Sequence, residues 1–583
     1  MTRRELLASL AAAPFASAAD DIDRFFDDFL ADWVRHDPEM STSMRFFPAP
    51  EQDQLDAKLS DASDMARHAR IGRAKAGLAS LAKFDRTKFT PSQRFSADML
   101  EYQLSDIAAE EPFLELNFPL NQFQGTQVRL PSLFTDMHPM RNRRDAENYL
   151  ARLEAFGAKI DQAAGGMRDR AAKGILPPAF ISFETVAQMK RFIAPQPEAN
   201  ILSTNFAAKL VKIESIDPAR RAAMSAQALQ IVRDSIYPAY RRAMDGLATA
   251  QARANSDAGL WRLPRGAEAY AFYLRRFTTT AMTAEQIHRK GLEEVARIEA
   301  EMGVIFSKLG NKTGSIQDRM AKLNAEQVYP DSPDVRATVL ADFAKIIRDA
   351  NERSAEAFDH RPKSQCIVQR IPEFQEANAA ANYSSPPRDG SRPGIFRVPL
   401  RGPSFPKSGM RTLAYHEAIP GHHFQLALQV EMESLPAFRR SNPFGSMSAF
   451  SEGWGLYAER LASELGWYKG DPVSDLGRLN GELFRARRLV VDTGIHAKRW
   501  TREQSIAFGI PQSEVDRYVV MPGQACSYKI GQMKILELRD QARAALGARF
   551  SMKDFHNMVL SNGAIPLTLL ERVVKDWTKQ RQS

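Results

Sequence analysis

Four residues that can handle metals and protons stand within eight positions: His416, Glu417, His422 and His423, in Tyr415-His416-Glu417-Ala418-Ile419-Pro420-Gly421-His422-His423. Three of the chain's ten histidines are among them. Neutral imidazole nitrogens bind zinc at about 2.0–2.1 Å, so histidines sharing an ion must converge closely, and a catalytic site takes three protein ligands. In the H-E-x-x-H arrangement the histidines lie one helical turn apart and the glutamate is the general base. Here the spacing is longer. On an unbroken helix His422 would stand about 9 Å along the axis from His416 and about 120° around it, with His423 about 10.5 Å away. Neither would share an ion with His416. Pro420, however, has no N–H for the carbonyl of residue 416, and Gly421 reaches backbone angles closed to other residues. A broken turn is expected, one that can return a later histidine to His416.

His416-Glu417 followed by Gly421-His422 resembles the H-E-x-G-H of the angiotensin-converting-enzyme and thimet-oligopeptidase families with two residues inserted. H-E-A-I-P-G-H-H is more similar still to the motif of the family known as domain of unknown function 885, a group of mostly bacterial proteins read as zinc hydrolases. Asp37-Pro38-Glu39, Asp389 to Gly394, Ser451 to Glu459 and Pro522 to Gly531 also look like landmarks of that family, so the resemblance covers nearly the whole mature chain.

The resemblance implies zinc held by His416, His422 and Glu452, with His423 the rival of His422 for the second position. Glu459, one heptad after Glu452, falls on nearly the same helical face and suits a hydrogen bond to a ligand histidine, fixing its tautomer. Glu417 is expected to be the base that takes a proton from water and returns it to the leaving amine. Tyr528 and His496 are the candidate donors to the developing oxyanion. Arg392, Arg397 and Lys529 are candidates for a terminal carboxylate. Zinc is the expected cofactor, although two imidazoles and a carboxylate also suit iron or manganese.

Residues 1–18 read as an export signal: Arg3-Arg4, an apolar stretch from Leu6 to Phe15, then Ala16-Ser17-Ala18. The paired arginines suggest the twin-arginine route and a periplasmic destination. The remaining 19–583 carries no Gly/Ser linker, repeat or later membrane-length apolar run, and is expected to be a single helical zinc-hydrolase domain with its motifs concentrated in 383–531. The chain is 44% hydrophobic and 26% charged, with mean hydropathy −0.38. Its +9 charge is spread among interspersed acids, which argues against nucleic acid as a partner. Two cysteines, Cys366 and Cys526, exclude a disulfide scaffold and are expected to be reduced.

Helical periodicity dominates, so the fold class is mainly α with a small β element lining the active-site cleft. Phe25, Phe26, Phe29, Leu30 and Trp33 share one face of a helix over 23–34. Thr283 and Gln286 form a capping box ahead of Ile287, Leu292, Val295, Ile298 and Met302. Stretches near 145–170, 205–250, 335–358 and 475–500 are also predicted helical. Gly394 to Leu400 reads as an edge strand, since prolines flank it. The resemblance implies that this strand lies beside the zinc helix and can pair with an extended substrate. The expected function is a zinc peptidase acting on short peptides, exo or endo. The alternatives are a zinc amidohydrolase for a non-peptide or cell-wall amide, and a non-catalytic periplasmic metal-binding protein.

Overall fold

A computed structural model of the chain describes residues 21–371, 376, 380–387, 390 and 392–582. The export signal at 1–18 lies outside these residues, as do Asp389 and Ser391. The protein is mainly α, 70% helical with 3% strand. Contacts divide it into two compact units, Met1–Ala269 and Tyr270–Ser583.

In the first unit, α1 (Ile22–Arg35) starts where Asp21 accepts from the N–H groups of Asp23 and Arg24, and it buries the five predicted aromatic and leucine side chains. Asp37-Pro38 is a helix start: Asp37 caps Met40 N and Pro38 takes the first helical position, where its missing N–H costs nothing. Arg152 of α2 (Arg143–Ala172) is fully buried. Its guanidinium donates to the carbonyls of Pro38, Leu55 and Lys58 at 3.2, 3.1 and 2.8 Å, so the landmark at 37–39 serves the fold of this unit. The predicted helical stretch at 205–250 is several elements. Asp217-Pro218 begins a new helix, and a π turn at Val232–Ile236 precedes α3 (Tyr237–Gln251).

The second unit holds every expected site residue. Its α4 (Ala284–Lys308) opens with both bonds of the Thr283–Gln286 capping box. Ile287, Ile298 and Met302 are buried, but Leu292 is 45% exposed, because α4 faces its neighbour with a narrower stripe than the apolar pattern suggested. That neighbour is α8 (Pro472–Ala497). Ile298, Met302 and Phe306 pack there on Leu476, Leu479 and Leu483, and Gly291 lets the backbones close, since a Cβ there would lie 2.7 Å from Val490 Cγ2.

A three-stranded sheet stands apart from this packing. Its strands are β1 (Cys366–Arg370), β2 (Asn382–Ser384) and β3 (Gly394–Val398), in the order β1-β3-β2. The expectation of an edge strand at 394–400 is thus corrected. β3 is central, parallel to β1 and antiparallel to β2, and its flanking prolines fall outside the paired residues, where no ladder N–H is needed.

Candidate metal centre

Helix α5 (Met410–Glu417) carries His416 and Glu417 in its last turn, and α6 (His422–Glu431) starts after four intervening residues. The backbone leaves helical angles at Ala418 (φ −108°, ψ −98°) and at Gly421 (φ −82°, ψ −126°). Only glycine fits at 421: a Cβ would lie 1.9 Å from the carbonyl oxygen of His416 and 2.3 Å from that of Tyr415. Trp454 Nε1 donates to the Pro420 carbonyl at 2.9 Å and pins the break to α7 (Ser448–Glu464).

The break brings His422 back. The rings of His416 and His422 stand 4.7 Å apart at 83°, and α7 delivers Glu452 between them. Glu452 Oε2 lies 3.5 Å from His416 Nε2 and 3.4 Å from His422 Nε2, and the three ligand atoms all fall within 4.8 Å of one another. Ligands on a tetrahedral zinc with bonds near 2.0–2.2 Å stand about 3.4 Å from each other, so the set fits that ion.

Glu459, two turns along α7, accepts from His416 Nδ1 at 2.8 Å while 2% exposed. That bond puts a ring proton on Nδ1 and leaves Nε2 as the atom that faces Glu452, held there by a proton or available to a cation. Arg485 of α8 stands 4.0 Å from Glu459 Oε1. A methyl group at Gly455 would strike the His416 ring, 2.6 Å from Cε1. The field of the cluster favours a cation. Burial opposes charge on His416, yet the Glu452 and Glu459 carboxylates hold its pKa up at about 10. Burial likewise works against a charged Glu452, but His416 and His422 keep its carboxyl well below the usual range. Beside this set Glu417 is 7% exposed, and its carboxylate has no hydrogen bond to the described residues.

His423 faces elsewhere. Its Nδ1 lies 2.8 Å from the Tyr383 hydroxyl and its Nε2 3.0 Å from the Ser364 carbonyl, so both nitrogens are engaged, and burial lowers its pKa to about 4. Of the two rivals, His422 is the one in the cluster.

Tyr528 and His496 are not part of the converging set. The Tyr528 ring on α9 (Gln524–Leu546) lies 4.5 Å from the Arg488 guanidinium of α8. His496 is 1% exposed, with Nε2 3.1 Å from the Tyr518 carbonyl and its ring 4.9 Å from that of Tyr270, the surroundings of a core histidine. Lys529 does not await a substrate carboxylate. It is 1% exposed, and its ammonium is taken by Glu482, Gln532 and Glu294 at 2.6, 2.7 and 2.8 Å, tying α4, α8 and α9 together. Arg397 donates to Ser384 Oγ at 2.6 Å and Arg392 to the Pro393 carbonyl at 3.2 Å. Cys366 and Cys526 are both free thiols. Sequence reasoning missed Tyr383, Arg485 and the steric duty of Gly455, since no spacing within one element signals a partner on another.

Two solved structures are similar to this chain over nearly its full length. A protein from Colwellia psychrerythraea, described as a putative lipoprotein, is 31% identical with a TM-score of 0.91, covering 96% of this chain and 99% of its own. A protein from Shewanella oneidensis, described as a putative lipoprotein of unknown function, is 20% identical with a TM-score of 0.73, covering 96% of this chain and 100% of its own; at that identity it speaks for the fold alone. No curated protein matches the chain. A family profile matches residues 38–574, which include the broken motif and the helices that complete it, and the chain belongs to that family, described as bacterial protein of unknown function (DUF885).

Proposed function

We propose that this protein is an exported zinc-dependent hydrolase, a peptidase for short peptides, in which His416, His422 and Glu452 hold the ion and Glu417 is the general base. One observation carries the reading: two imidazole Nε2 atoms and a carboxylate oxygen converge, and the residue after His416 is a second, buried carboxylate within electrostatic reach of that ring and without a hydrogen bond to the described residues. A binding site alone has no use for Glu417. Zinc bound there would polarise a substrate carbonyl and lower the pKa of a water toward about 7. Glu417 accepts the proton of the attacking water on its carboxylate and delivers it to the leaving amine. Glu459 keeps His416 in the Nδ1–H tautomer throughout. Export is supported by the lipoprotein description of the relative from Colwellia psychrerythraea together with the apolar leader, and a periplasmic site of action is inferred from the twin-arginine pair.

The test is mass spectrometry of a mixed short-peptide pool incubated with the zinc-loaded mature chain, with Glu417→Gln in parallel. Wild type is expected to cleave, and Glu417→Gln to hold zinc yet lose at least about a thousandfold in rate. A wild-type chain that holds zinc but leaves every peptide intact would refute the peptidase reading and move the search to other amides.

A further inference from the structure

His423 directly follows a proposed ligand, yet its ring is turned into the sheet. The Ser364 carbonyl can only accept, so the ring proton sits on Nε2, and the Nδ1 lone pair takes the Tyr383 hydroxyl hydrogen. One imidazole thus bonds two segments at once, the residue that leads into β1 and the middle of β2. The other end of α6 holds the same lead-in, because Glu431 accepts from the N–H groups of Lys363 and Ser364, each at 2.9 Å. Ser364 is therefore gripped from both ends of one helix.

The histidine and tyrosine meet over the start of β3. A Cβ at Gly394 would lie 2.3 Å from the Tyr383 hydroxyl oxygen and 2.7 Å from His423 Nδ1, so the absent side chain makes room for the pair. Gly394 pairs in register with Cys366, the first residue of β1. Burial, and after it the Glu417 carboxylate, pushes the Cys366 thiol up to about 12, so this corner of the sheet lies within the electrostatic reach of the proposed base.

We propose that His423 is a positioning residue: it registers the three-stranded sheet on the helix that carries His422, and so fixes where a substrate resting on the sheet stands relative to Glu417. The proposal rests on the metal reading above only for its consequence in catalysis; the tie between helix and sheet stands on its own bonds. It separates the duties of neighbouring histidines, His422 for the ion and His423 for the platform.

His423→Gln and Tyr383→Phe break the same hydrogen bond from opposite sides, and the glutamine amide can still donate to Ser364. Hydrogen exchange of 364–370 and 382–387, zinc content and peptide kinetics are read on both variants and on the double variant. Zinc is expected to stay at the wild-type level, while exchange in 382–387 speeds up about tenfold in each single variant and no further in the double. KM is expected to rise about tenfold with kcat within about threefold, because ligands and base are untouched. Unchanged exchange in both single variants overturns the proposal, as does additive behaviour in the double. Loss of zinc from His423→Gln while His422→Ala keeps it overturns both this proposal and the ligand set. Absence of zinc from wild type condemns the metal reading alone, and exchange still decides His423.

Discussion

A methyl group at position 455 would lie 2.6 Å from His416 Cε1 and 2.9 Å from its Nδ1, inside the contact distance of any carbon pair. The ring is not free to retreat, because Glu459, one turn after Gly455 on the same helix, holds its Nδ1 and both residues are buried. Gly455→Ala is expected to tilt the imidazole and weaken zinc binding at least about tenfold with the helical content unchanged, measured by chelator competition beside circular dichroism. Glu459→Gln probes the same ring without a clash. It retains an oxygen acceptor but removes the charge, and a loss of about tenfold in zinc affinity is expected; wild-type affinity in this variant would show that the carboxylate does not tune the ligand. At this scale the sequence was readable where one element supplied the geometry. Seven residues from Glu452 to Glu459 is two helical turns, which placed both on one face. The role of Gly455 was not readable, since the ring it accommodates belongs to a helix thirty-nine positions earlier in the chain.

Helices α7 and α9 cross where neither has a side chain. A Cβ on Gly531 would lie 1.9 Å from the Ala449 carbonyl oxygen, and one on Gly453 2.5 Å from the Gly531 backbone. Backbone atoms cannot rotate aside as side chains do, so Gly531→Ala must push the helices apart, at a cost of about 3 kcal/mol in overpacking strain. Because α7 carries Glu452 and Glu459, the same variant is expected to lose zinc affinity as well. Urea midpoints and metal content measured together check this, and a shifted midpoint with full affinity would mean that α7 keeps its place. The elements themselves were legible to different depths. Thr283 and Gln286 announced the start of α4 because a capping box is a local exchange of hydrogen bonds, independent of the rest of the fold. Pro420-Gly421 announced the break after α5 for the same reason. Which histidine the break would return depended on the backbone angles at Ala418 and Gly421, and the central position of β3 depended on partners at 366–370 and 382–384. Flanking prolines report only on the ends of a strand.

At the scale of the molecule, each compact unit buries a histidine outside the proposed ligand set whose pKa is strongly lowered. His138 in the first and His556 in the second both have pKa values lowered to about 4, chiefly by burial. His556 donates from Nδ1 to the Ala357 carbonyl at 2.9 Å, accepts the Tyr457 hydroxyl at 2.7 Å, and stacks on Phe358 at 4.5 Å, so the folded chain has no room for a second ring proton. Unfolded, a histidine titrates near 6.5. Between 6.5 and about 4 the unfolded chain therefore binds a proton that the folded chain refuses, and stability falls as pH falls through that window. Asp492 works the other way. Burial raises its pKa to about 7, so protonation on acidification relieves a buried charge and adds stability over part of the same range. The wild-type slope is thus a difference, and the histidine contribution has to be isolated. Replacing His556 by glutamine, which keeps hydrogen-bonding groups but takes up no proton, does so. From pH 7 to pH 5 the wild type is expected to lose about 2 kcal/mol relative to His556→Gln, read from urea unfolding at the two pH values. Parallel losses in the two proteins would mean that His556 takes up its proton as readily in the fold as in the unfolded chain, and its bond to the Ala357 carbonyl would then have to coexist with a second donor facing Tyr457.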